Sequence, residues 1–454
     1  MYDYLIVGAG SAGCVLAARL SEDPEVSVLL LEAGPPDANE NIHVPLGYLQ
    51  LARTAVDWDF ATAPEPNCNG RRISLPRGKV LGGSSSINAM VYIRGNRRDY
   101  DEWGASGWGW DDLFPYFLKA EDNERGASEW HAIGGPLPVS DQRSGNAIPP
   151  AFVDAAAEAG LARNEDFNGD EQDGAGMYQL TQRAGMRASA AVAYLHPAAE
   201  RPNLTVLPHM HVNRVLFDRG RAVGVEASHL GEPQELRAER ETILCGGAYN
   251  SPQLLMLSGI GPAEHLMLRE VELLLDQPAV GENLSDHAAS YGVWVSPCLL
   301  TPQSRGSVRL ASNDPTAKPI VRNDLYSAEA DLPRMVAALR LMEEICAQPA
   351  FRPYAAEPFT TPASDSEGDL RAHLAATTFP IYHPVGTCAI GSVVDSDLRV
   401  LGVDGLRVVD ASVMPAVPRG NTNAPTIAIA ERAADLIRGA PPLRTGAPVQ
   451  AAAE

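Results

Sequence analysis

The chain has 454 residues, 45% hydrophobic and 20% charged, the balance of a globular protein large enough for two or three domains. Its 57 acidic against 36 basic residues give a net charge of −21, which disfavours a nucleic-acid partner or an anionic membrane surface. No run of 18 apolar residues occurs, so no transmembrane segment is expected. The first predicted strand also lies too close to Met1 to leave room for a signal peptide. The six cysteines are far apart, with no Cys-x-x-Cys and no Cys/His cluster at metal spacing, so free thiols, no metal and a cytoplasmic location are expected.

The first predicted element is an apolar strand, Tyr4-Leu5-Ile6-Val7, running into Gly8-Ala9-Gly10-Ser11-Ala12-Gly13 and then a helix. The spacing is Gly-x-Gly-x-x-Gly. Gly8 permits the turn, Gly10 lets a diphosphate approach the backbone, and Gly13 lets helix and strand pack. The amides of the helix N-terminus would face the phosphates. A second apolar run, 26–31, ends in Glu32-Ala33, about 20 residues past Gly13, where the fingerprint needs an acid for the ribose hydroxyls. Strand, glycines, helix and acid together predict an adenine-dinucleotide site; NAD and FAD both use it.

Residues 41–76 read as a long excursion over the dinucleotide. Residues 77–95 carry four glycines and three serines before a strand-like run, and read as a second loop in ligand contact. Residues 99–120 are helical in parts, anchored by Trp103, Trp108 and Trp110, and 121–147 read as polar surface. Helices are predicted at 149–160 and 187–199. Residues 204–207, 212–217 and 222–228 suggest a small antiparallel sheet, feeding a buried strand at 241–245. Gly246-Gly247 then opens a helix, again bringing backbone near a ligand. An apolar stretch at 293–300 and short strands at 306–310 and 318–321 follow. Then comes an amphipathic helix at 331–347, with Leu332, Met335, Val336, Leu339, Met342 and Ile345 at helical spacing. A shorter helix is predicted at 368–376. After Tyr382-His383-Pro384-Val385-Gly386 and Gly420-Asn421-Thr422-Asn423 comes a last helix through residue 437; the tail after Gly439 reads as flexible.

Several long motifs in this order resemble the glucose–methanol–choline family of FAD-dependent oxidoreductases. The glycine fingerprint continues into Leu31-Glu32-Ala33-Gly34. Residues 78–95 are similar to the family's first signature and 247–261 to its second. His383 and Asn421 match the catalytic His and its His-or-Asn partner.

The resemblance implies an α/β fold: a Rossmann-like FAD/NAD(P)-binding domain from 1–147, 189–287 and 381–438. A smaller α+β substrate domain of sheet plus helices would come from 148–188 and 288–380. It further implies that Gly8, Gly10, Ser11, Ala12, Gly13, Glu32 and Ala33 hold the ADP half of FAD. Val80, Gly83, Asn88, Ala89, Met90 and Val91 would line the diphosphate and isoalloxazine. Val212 would contact adenine, Asp410 and Ala411 the ribityl and diphosphate, and Thr422 the pyrimidine edge. Ile87 stands where some relatives attach FAD through a His, so FAD is expected to be non-covalent. One departure is visible: Ser304-Arg305-Gly306-Ser307-Val308 begins only about 17 residues past His287, where the family has a long segment, so the substrate domain is expected to be cut down.

The implied activity is oxidation of an alcohol CH–OH to an aldehyde or ketone by hydride transfer to flavin N5. The electrons would pass to oxygen, a quinone or a redox protein. An imidazole has the right ordinary pKa to take the hydroxyl proton, so His383 is expected to be the general base. Asn421 is expected to donate to the substrate oxygen, while the last helix points its N-terminus at the flavin. Ile381 and Tyr382 would wall the reacting face. His287 is a second His beside Asp286, expected to be structural. Two other activities fit the same fold: a cyanohydrin (hydroxynitrile) lyase, or a flavin electron-relay partner of another alcohol dehydrogenase. No Gly-x-Ser-x-Gly elbow accompanies Ser84-Ser85-Ser86, which argues against a hydrolase.

Overall fold

The computed structural model describes residues 1–290, 295–354 and 361–444. Its centre is a sheet built from β1 (Tyr2–Val7) and β2 (Val28–Leu31), joined by α1 (Ser11–Leu20). All four residues of β2 are fully buried, as expected of a parallel strand covered on both faces. Each such aliphatic side chain contributes about 1.5–3 kcal/mol. Farther along lie α2 (Trp110–Ala120), β3 (Leu204–Leu207), β4 (Met210–Asp218), β5 (Arg221–His229), β6 (Glu232–Leu244) and α3 (Gly247–Leu257).

The strand order is β3-β2-β1-β6-β5-β4. The long β6 belongs to two arrangements at once. Its first part pairs antiparallel with β5, and its second part pairs parallel with β1. The β4–β5–β6 meander matches the predicted antiparallel sheet, with one correction. Leu204–Leu207 does not join it but pairs parallel with β2, as a fully extended apolar segment can on the open edge of the parallel core.

The second half supplies β7 (Ala288–Ser290), β8 (Cys298–Leu299), α4 (Asp331–Cys346), β9 (Thr378–Pro380), β10 (Leu406–Val408) and α5 (Asn423–Arg438). β10 adds to the main sheet beside β6. β7 lies between β8 and β9 in a three-stranded antiparallel sheet, beside which α4 packs Met335, Val336, Leu339 and Met342 into a second core. Cys68 and Ile73 also belong to that core. Residues 293 and 294 of the predicted apolar stretch, and the tail from 445, lie outside the described residues.

α1, α2 and α5 form one helical layer on the sheet. Its polar tie is Glu431, fully buried, with Arg19 at 2.8 Å and Lys119 at 3.1 Å. Residues 121–147 are not simply surface. Glu121 is fully buried and holds Arg94 at 2.8 Å, and His131 bridges Glu121 and Asp166. Burial opposes charge on that imidazole, but the two carboxylates outweigh it and push His131 up to about 9. A polar sequence between glycines reads as solvated, yet these side chains satisfy one another.

Candidate active site

The glycine turn after β1 is built by close approach. A Cβ on Gly13 would stand 1.9 Å from the Gly8 carbonyl oxygen, so only glycine lets α1 pack against the turn. α1 starts without a side-chain cap at Gly10, leaving its first amides for a ligand. Gly10 itself is roomy: a Cβ there would have no protein atom nearer than 3.9 Å. The second glycine loop lies directly over the first. Gly82 N–H donates to the Ala9 carbonyl at 2.7 Å, and a Cβ on Gly83 would fall 2.6 Å from Gly10 Cα.

Glu32 closes this end. Its two oxygens accept the Ala9 and Gly34 amides, each at 2.9 Å. Burial pushes its carboxyl up to about 7 against those two donors. From the other side Asp410 orders the Gly246-Gly247 turn, accepting Gly247 N–H at 2.9 Å and the Ser251 hydroxyl at 2.6 Å. α1 and α5 begin side by side: Ser11 Oγ donates to Asn423 Oδ1 at 2.7 Å.

These parts enclose one cavity of about 840 Å³. Gly8, Gly10, Ser11, Ala12, Glu32 and Ala33 line it together with Gly83, Asn88, Ala89, Met90, Val91, Val212, Asp410, Ala411 and Thr422. So do Ile381, Tyr382, His383 and Asn421. Two expected contacts are placed elsewhere. Gly13 serves the packing of α1. Val80 is fully buried among Ile42, Leu51 and Val56, because the loop turns its side chain into that small core. Sequence reasoning missed Tyr48, Leu49, Trp58, Phe60, Arg77 and His211, which also line the cavity. Of these, Arg77, next to the glycine loop, carried a usable signal. The cradle suits a dinucleotide: two glycine loops with uncapped amides, and a buried acid at the far end.

The reacting end is fixed by strand register. β7 pairs with β9 so that Ala288 faces Pro380, and the pairing continues beyond the strands. Ile381 N–H donates to the His287 carbonyl at 3.0 Å, and Ser285 and Val385 exchange backbone hydrogen bonds. The residues between are thereby brought face to face. Asp286 Oδ1 accepts His383 N–H at 2.8 Å, and the two Nδ1 atoms of His287 and His383 stand 2.9 Å apart. Asn421 Nδ2 donates to His383 Nε2 at 2.9 Å.

Tyr382 has φ of 70°, a left-handed conformation costing on the order of 1–3 kcal/mol for such a residue. Its carbonyl is held by Arg77 at 2.7 Å. Burial holds the His383 imidazole well below its usual range, and His287 and Arg77 add to the effect. His383 is therefore neutral around pH 7, the form that can accept a proton. Burial also raises Asp286 to about 7, against the His383 amide and Arg77.

Two sequence models described as GMC oxidoreductase match this chain, one over residues 2–289 and one over 302–430. It is 40% identical to an alcohol dehydrogenase [acceptor] of Pseudomonas putida, across 96% of each chain. It is 37% identical to an oxygen-dependent choline dehydrogenase of Sinorhizobium fredii, across 97% of this chain and 96% of that one. The fold matches the crystal structure of pyridoxine 4-oxidase from Mesorbium loti with a TM-score of 0.92 and 31% identity, covering 96% and 98% of the two chains. The alignment to the Pseudomonas protein runs over 527 columns. Since 96% of this chain is about 436 residues, about 90 positions of the relative have no counterpart here.

Proposed function

This chain belongs to the GMC oxidoreductase family and is an FAD-dependent oxidoreductase acting on alcohol CH–OH groups, and on that premise we propose that His383 is its general base and Asn421 its positioning donor. The observation that carries the assignment is the 2.9 Å pairing of Asn421 Nδ2 with His383 Nε2 on the cavity wall. One atom donates and the other accepts, which is the complement of a hydroxyl group. An alcohol oxygen entering there donates its proton to Nε2 and accepts from the Asn421 amide. FAD, when bound, supplies the hydride acceptor, N5.

The residues named above as lining the cavity hold that cofactor, from Glu32 and Val212 at one end to Thr422 at the other. Ile87, in the cavity wall, offers no atom for a covalent link, so the cofactor is held non-covalently. Proton removal by a neutral, buried imidazole raises the electron density of the alkoxide carbon as the hydride departs. The amide of Asn421 stabilises the oxygen while charge develops on it.

We assign the FAD domain to 1–147, 189–287 and 381–438 and the substrate domain to 148–188 and 288–380. The core around α4, β7 and β8 supports the second domain, with Cys68 and Ile73 of the first segment packed into it. The shortened second domain leaves Ile381, Tyr382 and Phe379 as the apolar wall of the reacting end. Oxygen, a quinone or a redox protein completes turnover. No helix among the described residues is long and apolar enough to cross a membrane. The free thiols support a cytoplasmic location.

Anaerobic mixing of the FAD-loaded protein with a panel of primary and secondary alcohols tests the activity. Bleaching of the flavin by at least one alcohol is expected; bleaching by none refutes it.

A further inference from the structure

We infer that His287 is a positioning residue that fixes the proton of His383 on Nδ1, so that Nε2 is the bare, basic nitrogen facing the alcohol. The inference rests on the reading of His383 as the base and adds how its tautomer is set.

The two Nδ1 atoms are 2.9 Å apart, a distance at which one must carry a proton and the other a lone pair. The rings meet edge to face, with an interplanar angle of 86°. His287 is fully buried, and burial pushes it down to about 4, so it is neutral and carries a single ring proton. Its Nε2 is buried and has no hydrogen-bond partner among the described residues, so the direction of the pair is read from the His383 side. The Asn421 amide donates to His383 Nε2, so that atom holds a lone pair and the proton of the neutral His383 ring is on Nδ1. His383 then donates from Nδ1, and His287 Nδ1 is its acceptor.

The arrangement does not depend on flexible side chains. His287 leads directly into β7, and its carbonyl is tied to Ile381. His383 is tied through its amide to Asp286, the neighbour of His287. Neutral histidine in water favours the proton on Nε2, the tautomer useless to a base at that atom. A hydrogen-bond partner on the other nitrogen reverses this, as a carboxylate does in hydrolase triads. Here the partner is a second imidazole, which orients the ring without adding a negative charge beside the developing alkoxide.

The test uses the FAD-loaded enzyme with ¹⁵N-labelled histidine, as wild type, His287→Leu, His287→Asn and His383→Ala. In the wild type, ¹⁵N spectra are expected to show His383, identified by its loss in His383→Ala, protonated at Nδ1. His287→Leu should slow anaerobic flavin reduction about tenfold or more, with the alcohol's apparent affinity within about threefold, and move His383 toward the Nε2–H form. His287→Asn offers a carbonyl acceptor and should recover part of the rate. A wild-type His383 protonated at Nε2 overturns the inference, whether or not the variants retain FAD. So does a His287→Leu enzyme that reduces its flavin at the wild-type rate, or slows with the His383 tautomer unchanged. Unchanged reduction in His383→Ala refutes instead the assignment of the base.

Discussion

Asn421 and His383 are 38 residues apart in sequence, yet the amide nitrogen of one donates to Nε2 of the other at 2.9 Å on the wall of the cavity. Neither sits inside a regular element: His383 follows β9 by three residues, and Asn421 precedes the α5 cap, Thr422. Each is aimed by the backbone around it. Replacing the Asn421 amide should therefore remove one donor without disturbing the fold. Asn421→Ala should lower the rate of flavin reduction by about tenfold to a hundredfold, with FAD content unchanged. Rapid-mixing absorbance measures the rate, and the flavin-to-protein ratio checks the content.

Gly10 lines the cavity without serving the packing around it. A methyl group there meets no protein atom nearer than 3.9 Å, and its backbone, φ −78° and ψ −163°, is open to alanine. Gly10→Ala should leave the melting temperature of the FAD-free protein within about 2 °C, while FAD affinity falls by about tenfold or more. Titration of the apoprotein with FAD reads the affinity. Gly83→Ala would not make this distinction, because its methyl group would strike Gly10.

Glu431 neutralises Arg19 and Lys119 inside the helical layer, far in function from the chemistry. Glu431→Gln keeps the shape and removes the carboxylate that both cations share, leaving Arg19 with Glu22 and Lys119 with Asp435. A loss of about 1–3 kcal/mol in unfolding free energy is expected by denaturant titration, since both cations lose their buried partner and keep only the second one. The reduction rate of the folded fraction should be unchanged.

The histidine pair gives stability a pH dependence of defined sign. His287 titrates at about 4 when folded, against about 6.5 unfolded, and His383 is lowered too. Between these values the unfolded chain binds more protons, so the contribution of His287 is full above about pH 6.5 and is lost as pH falls through about 4, and His383 acts in the same direction. Glu32 and Asp286, raised to about 7, act oppositely: the folded chain holds their protons longer, and stability falls as pH rises toward 7. Subtracting the His287→Asn profile isolates the histidine. Wild type should lose stability relative to the variant by up to about 3 kcal/mol from pH 6.5 to 4, followed by denaturant unfolding at each pH.

Much of the cofactor half is legible in the sequence because steric demands leave marks there. Gly8 and Gly13 must be glycine because a Cβ there would strike backbone, and Glu32 terminates a strand whose apolar run is continuous. α4 is readable for a similar reason, its buried side chains keeping a helical period. The reacting end is less legible. The 2.9 Å contact between His287 and His383 comes from pairing β7 with β9, about 90 residues apart, and no local pattern announces that register. His287 therefore reads as a structural histidine until the strands are paired. The pairing of Leu204–Leu207 is hidden for the same reason: an apolar extended run does not disclose whether its partner lies parallel or antiparallel. The buried set around Arg94 and Glu121 is hidden because its polar residues satisfy each other rather than water.

The most direct test is the anaerobic rate of flavin reduction by a reactive alcohol in wild type and His383→Ala, both loaded with FAD. Loss of the proton acceptor should slow reduction by about a hundredfold or more. Equal rates in the two proteins would contradict the assignment of His383 as the base.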